Sequence, residues 1–400
     1  MRDLEKVKLG EVLSVKHGYA FPGAGFSDDT SFPVLTTPGN FSVGGGFRKA
    51  KTKTFNGDYP AEYRLDVGDL IITMTDLSKE GDTLGLPATV PPGNVYLHNQ
   101  RIGRVQILDQ RRIDKSFLLY FLRTAEYRAH ILGTASGSTV RHTSPSRIEA
   151  FETLIPSVRT QRAIAEVLGA LDDKIAANTR LAHTADRLAG HLFDQAASSV
   201  PMIPMSQVLT PVLGGTPVRA NTDLWNGEDL WASAKDITGA PFAVVTDTVE
   251  KITQLAVERT KAKPLPAGSV ILTARGTVGA VARLAVPSSF NQSCYGFTPR
   301  ELPPGLLYFS ILRAAQHAKS LAHGSVFDTI TMRTFDHLQI PDFGDEARST
   351  EAGIAPLLDL VTANVFENGS LAKTRDVLLP QLMSGRLCVK DAEATVEPLV

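Results

Sequence analysis

Cysteine is scarce in this 400-residue chain, with only Cys294 and Cys388 present. Two thiols cannot build a disulfide-stapled scaffold or a four-thiolate zinc site; they fit a reducing cytosol, so a cytoplasmic location is expected. No apolar run approaches the length that crosses a bilayer. The opening residues, MRDLEKVKLGEVL, are charged and hold no apolar stretch of the signal-peptide kind. Charge of one sign is lacking as well: 41 Lys and Arg stand against 42 Asp and Glu, a formal net charge of −1. That balance excludes a uniformly basic nucleic-acid binder but leaves room for a local basic face. Acidic residues gather after residue 342, and only the stretch after Arg386 has the composition of a disordered tail. With 43% hydrophobic residues, the length suits two or three domains with ample core.

Catalytic signatures are missing too. No G-x-x-x-x-G-K-[S/T] phosphate loop occurs, and no Asn/Asp-Pro-Pro-aromatic methyltransferase motif. The FPGAGF segment at Phe21 has the glycine spacing of an adenosylmethionine loop. It runs on into SDDTSFPVLTT, where such a loop needs a helix. PDFGDEARS at Pro341 carries acids without the lysine of a metal-dependent nuclease centre. His183 and His191 share one helical stretch, but no thiol or carboxylate set completes a metal site around them, and no bound metal is expected. Asp172 and Asp173 read as a polar helix face covered by a partner.

What the chain does have is a long periodic stretch at 159–197. Ile164, Leu168, Leu171, Ile175, Asn178, Ala182, Ala185, Ala189 and Leu192 alternate steps of four and three, one narrow seam on a helix. At 1.5 Å per residue such a helix would extend about 58 Å, the length of a strut between two bodies. Asn178 in the seam costs some stability and fixes register. A looser copy closes the chain. Leu357, Val361 and Asn364 in LLDLVTAN answer Leu171, Ile175 and Asn178, and LAKTRDVL, with Leu371 and Leu378, answers LAHTADRL. Four extra residues separate the two blocks of the second copy. Asn368-Gly369, among them, offers a point at which the helix can break. Pro356 lacks an amide hydrogen, so it is expected to open this helix or kink it.

The intervening bodies also match. In 1–157, short apolar runs punctuated by Gly, Pro and Asn predict a mostly β domain: VKLGEVLSV, FPVLTT, GDLIITM, LPATVP, NVYLHN and GRVQIL. One helix is predicted at 115–132, burying Phe117, Leu118, Phe121, Leu122 and Ile131. In 200–344, MSQVLTPV answers LGEVLSV, SFNQSCYGFTP answers YLHNQRIGRVQI, and HLQIP answers ETLIP. Asn291 and Gln292 match Asn99 and Gln100, so these amides are read as scaffold. The expected architecture is α+β: two similar β-rich domains, 1–157 and 200–344, separated by two long antiparallel helices, 158–199 and 345–386, with internal pseudo-two-fold symmetry and an acidic tail, 387–400.

This order of segments resembles the specificity subunit of type I restriction-modification systems. The resemblance rests on QRAIAEVLGALDDKI at the start of the first long helix, RDVLLPQLMSG at the end of the second, and NQSCYGF and LPAGSVILTARGTVG in the second body. It covers the chain to about Arg386. One departure is EARSTEAGIAPLLDLV in place of a QR-type start to the second helix. The resemblance implies two target-recognition domains that each read one half of a split site in double-stranded DNA. It implies helices that set the gap and dock two methyltransferase subunits, with restriction-motor subunits as further partners. The chain would then be no enzyme and bind no cofactor, S-adenosylmethionine being held by the methyltransferase partners.

Candidate DNA contacts follow from residue chemistry. FRKAKTK offers Arg48, Lys49, Lys51 and Lys53 after a triple glycine. Lys79 in TDLSKEGDT and Arg141 and His142 after GSTV are weaker candidates. In the second body GGTPVRANTD offers Thr216, Arg219 and Asn221, and Lys235 and Arg275 fall at predicted strand ends. Two other readings stand beside the DNA reader: a self-contained enzyme with an unrecognised active site, and a protein-binding spacer.

Overall fold

The structure, a computed structural model, describes residues 4–49, 53–321 and 329–400. It divides into two compact units, Met1–Asp173 with Ala372–Val400, and Lys174–Leu371.

In the first unit a four-stranded antiparallel sheet runs in the order Leu13–His17, Ile102–Ile107, Leu70–Thr73, Pro87–Thr89. Its inner strand, LIIT at 70–73, is buried along its whole length, which is why it reads as an unbroken apolar run. A second sheet pairs Val34–Thr36 in parallel with Tyr96–His98. Phe41, Leu65, Ile71, Tyr96 and Ile102 form one core cluster, and Phe21, Leu35, Phe55 and Leu97 another. Leu4–Lys8 pairs antiparallel with Glu152–Pro156, tying the two ends of the body together.

The second unit repeats this plan. Its main sheet runs Val212–Leu213, Cys294–Phe297, Val270–Thr273, Val281–Leu284, with Val244–Val245 added at the edge. Trp225–Ala232 pairs in parallel with Ser289–Phe290, and Met202–Pro204 pairs antiparallel with Gln339–Pro341. The matched amides are scaffold in both. A Cβ on Gly18 would lie 2.0 Å from the Asn99 carbonyl oxygen, and one on Gly214 would lie 2.1 Å from that of Asn291. Only glycine admits the chain so close to that turn. The Asn99 side chain accepts from the Arg101 amide and that of Asn291 from the Ser293 amide, each at 3.0 Å.

Two long helices, Val158–Ala197 and Ala347–Ser384, take the predicted places. In the second unit Asn178 Nδ2 donates to Glu367 Oε2 at 2.9 Å and Asn368 Nδ2 to Thr179 Oγ1 at 3.2 Å. Ala182 and Ala185 pack with Val361 and Val365. Rising numbers on one helix thus meet falling numbers on the other, so the pair is antiparallel. In the first unit Asp172 receives Arg375 Nη1 at 2.6 Å. Ile164, Leu168, Leu171, Asn178, Val361, Asn364, Leu371 and Leu378 are buried, whereas Ile175 and Leu357 are half-buried. Ile354 and Leu358 take the buried positions beside Leu357.

Four local expectations need correction. The segment 115–132 is two helices, Lys115–Phe121 and Ala125–Thr134. The first is capped by Asp114, whose carboxylate accepts from the Ser116 and Phe117 amides. The chain breaks at Arg123, whose guanidinium is tucked inward beneath Gly45 and faces Asp172, so tertiary contacts end a helix that local periodicity would continue. Asn368-Gly369 does not interrupt the second long helix, because the Asn368 side chain is used across the helix pair. Pro356 is the tenth residue of that helix, so it does not open it, and its missing amide hydrogen removes one backbone hydrogen bond there. Finally, the acidic end is folded. Val389–Val396 is a helix that buries Ala392 and Val396, a spacing of four that overrides the acidic composition.

Candidate nucleic-acid interface

In the first unit, the strand Leu70–Thr73 leads into a loop organised by one carboxylate. Asp76 accepts from the Ser78 amide at 2.6 Å, from Thr83 Oγ1 at 2.7 Å and from the Thr83 amide. Burial would raise this carboxyl, but the hydrogen bonds from Ser78 and Thr83 outweigh burial and hold it below the usual aspartate range. Its strand, Thr75–Asp76, pairs with Arg141–His142, which brings distant residues together. Arg141 Nε donates to the Lys79 carbonyl oxygen at 2.8 Å, and His142 Nδ1 lies 3.2 Å from Thr75 Oγ1. Arg147, which sequence reasoning passed over, donates to Ser136 Oγ at 3.1 Å and to the His142 carbonyl oxygen. Lys79 and His142 are exposed and Arg141 and Arg147 half-buried, and the same loop also exposes the carboxylates of Glu80 and Asp82.

The FRKAKTK candidates are placed differently. Arg48 turns back and donates Nε and Nη2 to the Gly39 carbonyl oxygen at 3.2 and 3.1 Å, a loop-closing role. Lys53 pairs with Asp28 at 2.8 Å. Lys49 is exposed, and Lys51 lies outside the described residues. Beneath the neighbouring glycines a buried polar cluster forms: Tyr120 Oη donates to Asp172 at 2.8 Å, Arg375 pairs with the same carboxylate, and Arg123 approaches it at 3.9 Å. Burial, then Asp172, raises the Tyr120 phenol well above its ordinary value. Asp172 is therefore committed inside the unit rather than left as a face for a partner.

In the second unit Arg219 is also committed. It makes a two-pronged ion pair with Glu250 and stacks 4.0 Å above Trp225. The hydrogen bonds with Glu250 raise the Arg219 guanidinium and lower the Glu250 carboxyl. Asn221 caps the turn Thr222–Leu224 by accepting from the Asp223 amide at 3.1 Å. Thr216 Oγ1 accepts from the Gln292 amide at 3.5 Å, beside the scaffold turn. Lys235 is exposed in the first turn of a helix, Ala234–Gly239, closed by a Ser233–Asp236 capping box, rather than at a strand end. Arg275 stands exposed just past Val270–Thr273, the position that answers the Asp76 loop of the first unit. The Ile330 amide donates to the Ala274 carbonyl oxygen at 3.0 Å, as the Thr143 amide does to Met74 at 3.0 Å. In each unit, then, the loop after the central strand carries one exposed basic side chain, Lys79 or Arg275, and its first residue accepts a backbone hydrogen bond from Thr143 or Ile330. Among the described residues, no cluster of three His, Cys, Asp or Glu is arranged to hold a metal ion, and no helix is long and apolar enough to cross a membrane.

Two copies of one β-rich fold, each clasped by its own terminal strands and each continuous with long helices, define a duplicated recognition-domain protein. A family model described as the type I restriction modification DNA specificity domain matches residues 1–184 and 208–341, and the chain belongs to that family. The specificity subunit of the type I restriction enzyme MjaIX of Methanocaldococcus jannaschii is 25% identical over 154 residues, 38% of this chain and 36% of that one. The HindI specificity subunit of Haemophilus influenzae is 24% identical over 181 residues, 44% of this chain and 39% of that one. The matches thus span well under half of these relatives. The crystal structure of a type I restriction-modification S subunit from M. genitalium superposes with a TM-score of 0.61 at 13% identity, covering 96% of both chains, and shares the fold.

Proposed function

We propose that this chain is the DNA-reading subunit of a type I restriction-modification assembly. Each unit reads one half of a split duplex site, and the paired helices set the gap. The observation that carries this reading is the duplication of one fold, in which the loop at the same topological place bears an exposed basic side chain in each unit, Lys79 beside Arg141 and His142 in one and Arg275 in the other. Half-sites read on one face of B-DNA lie about 34 Å apart, a span suited to a helical ruler. The chain carries no chemistry of its own in this reading. Two methyltransferase subunits, holding S-adenosylmethionine, modify adenine. Motor-nuclease subunits cut where the host supplies them, and the assembly works in the cytoplasm.

The test is methylome sequencing of a host with and without this chain. A single split adenine-methylated motif that disappears with the chain is the expected result. An unchanged methylome with the methyltransferase partners present, or methyl transfer by the purified chain alone, overturns the reading.

A further inference from the structure

The second unit has a groove of about 370 Å³. Its floor is Ala314, Ala318 and Leu338, and its polar rim includes His317, Arg333 and His337. The two units show why it is open. Leu338 corresponds to Phe151: the Met205 amide donates to Leu338 O at 2.8 Å as the Leu9 amide donates to Phe151 O at 2.9 Å. Aligning LLYF at Leu118 with LLYF at Leu306, with a one-residue gap, sets His317 against His130 and Ala314 against Tyr127. In the first unit Tyr127 and Phe151 meet ring to ring at 5.5 Å, and His130 lies 5.1 Å from Phe151. Alanine and leucine replace both rings in the second unit, and the volume they filled is left as a groove.

The chemistry of the walls selects an occupant. Four nitrogen-bearing side chains, His317, Arg333, His337 and Gln339, and three threonines line the groove, and among the described residues no carboxylate does. An apolar floor with a cationic, hydroxyl-bearing rim complements a sugar joined to a phosphate. Thr331 follows Ile330, which is hydrogen-bonded to Ala274 next to exposed Arg275, so the groove adjoins the candidate reading loop. We propose that this groove seats one nucleotide of the DNA backbone in the second half-site, its phosphate on Arg333 beside His337 and its deoxyribose on the alanine and leucine floor. The proposal rests on the reading of the chain as a DNA-recognition subunit. It makes the two units unequal: the first holds its backbone with Arg141 and its neighbours, the second with a pocket.

The test uses the full chain with its methyltransferase partners and a duplex carrying the mapped split site. Arg333→Ala should lower the slope of log affinity against log salt by about 0.9, the value of one phosphate contact, with the same loss on duplexes altered at any base. Arg333→Lys should restore most of the slope. Single methylphosphonate substitutions in the second half-site supply a measurement that does not depend on a variant folding: one position should weaken wild-type binding and add nothing to Arg333→Ala. Failure of the wild-type assembly to bind the split site would sink the DNA reading itself. Wild-type binding with no such position, or a slope unmoved by Arg333→Ala, would leave that reading intact and overturn the groove. Loss of inorganic phosphate binding in Arg333→Ala, with the DNA slope unchanged, would assign the groove to a free anion and overturn the proposal likewise.

Discussion

Replacing Asp76 by alanine tests whether the loop after Leu70–Thr73, a candidate DNA contact, is preformed. The carboxylate is 4% exposed and accepts from two amides and one hydroxyl between Ser78 and Thr83. Hydrogen bonds to a charged acceptor contribute about 1.5–3 kcal/mol each. Ser78 and Thr83 are only half-buried, so water recovers part of this, and the expected loss of local order is about 2–4 kcal/mol. Two compact units make a single global unfolding energy a poor measure, so the assay is hydrogen exchange of the loop amides. The Ser78 and Thr83 amides should exchange about 30-fold to 700-fold faster, while the central strand Leu70–Thr73 keeps its protection. The pH dependence has a definite sign. Because the native carboxyl is depressed, its contribution is complete above the ordinary aspartate value of about 3.9 and is lost as the pH falls through the lower native value. Wild-type loop protection should therefore be level from neutral pH down to about 4 once intrinsic exchange is divided out. Unchanged exchange in Asp76→Ala, or wild-type protection that falls on going from pH 5 to pH 8, would refute the argument.

Three further outcomes follow. Inserting residues between Asn178 and Leu181 should lengthen the gap in the methylated motif and keep both half-site sequences; altered bases with the old gap would remove the ruler idea. Asp172→Ala strips the shared anion from Tyr120, Arg375 and buried Arg123 and should destabilise the first unit by about 2–4 kcal/mol, seen as a lower midpoint in urea. Arg219→Lys should leave the recognised bases unchanged, since its guanidinium is held by Glu250 and Trp225; a new methylation motif would return Arg219 to the list of readers.

The duplicated plan was legible because both sources of the signal are local. The helical seam depends on residues three and four apart, and the strands appear as short apolar runs bounded by turn residues. The surroundings of the candidate contacts were harder, because their placement depends on partners far along the chain. Arg141 meets Lys79 only through the pairing of Thr75–Asp76 with Arg141–His142. Arg219 was chosen for chemistry that suits guanine, but Glu250, far along the chain, claims its fork. Arg147 and Arg333 were overlooked because each sits in a short helix, Pro145–Glu149 or Met332–Asp336, with no glycine run to mark it. The folded end of the chain was misread for another reason: Val389, Ala392 and Val396 keep helical spacing, but the acidic composition around them masked it.

The strands that close each body have an evolutionary corollary. Leu4 lies opposite Pro156, and Met202 opposite Pro341, so each body leaves the chain beside the point where it enters. Excision at such a clasp joins neighbouring ends and asks little of the framework around it. A whole body can therefore be exchanged by recombination as one cassette, in a single genetic event instead of through many point substitutions.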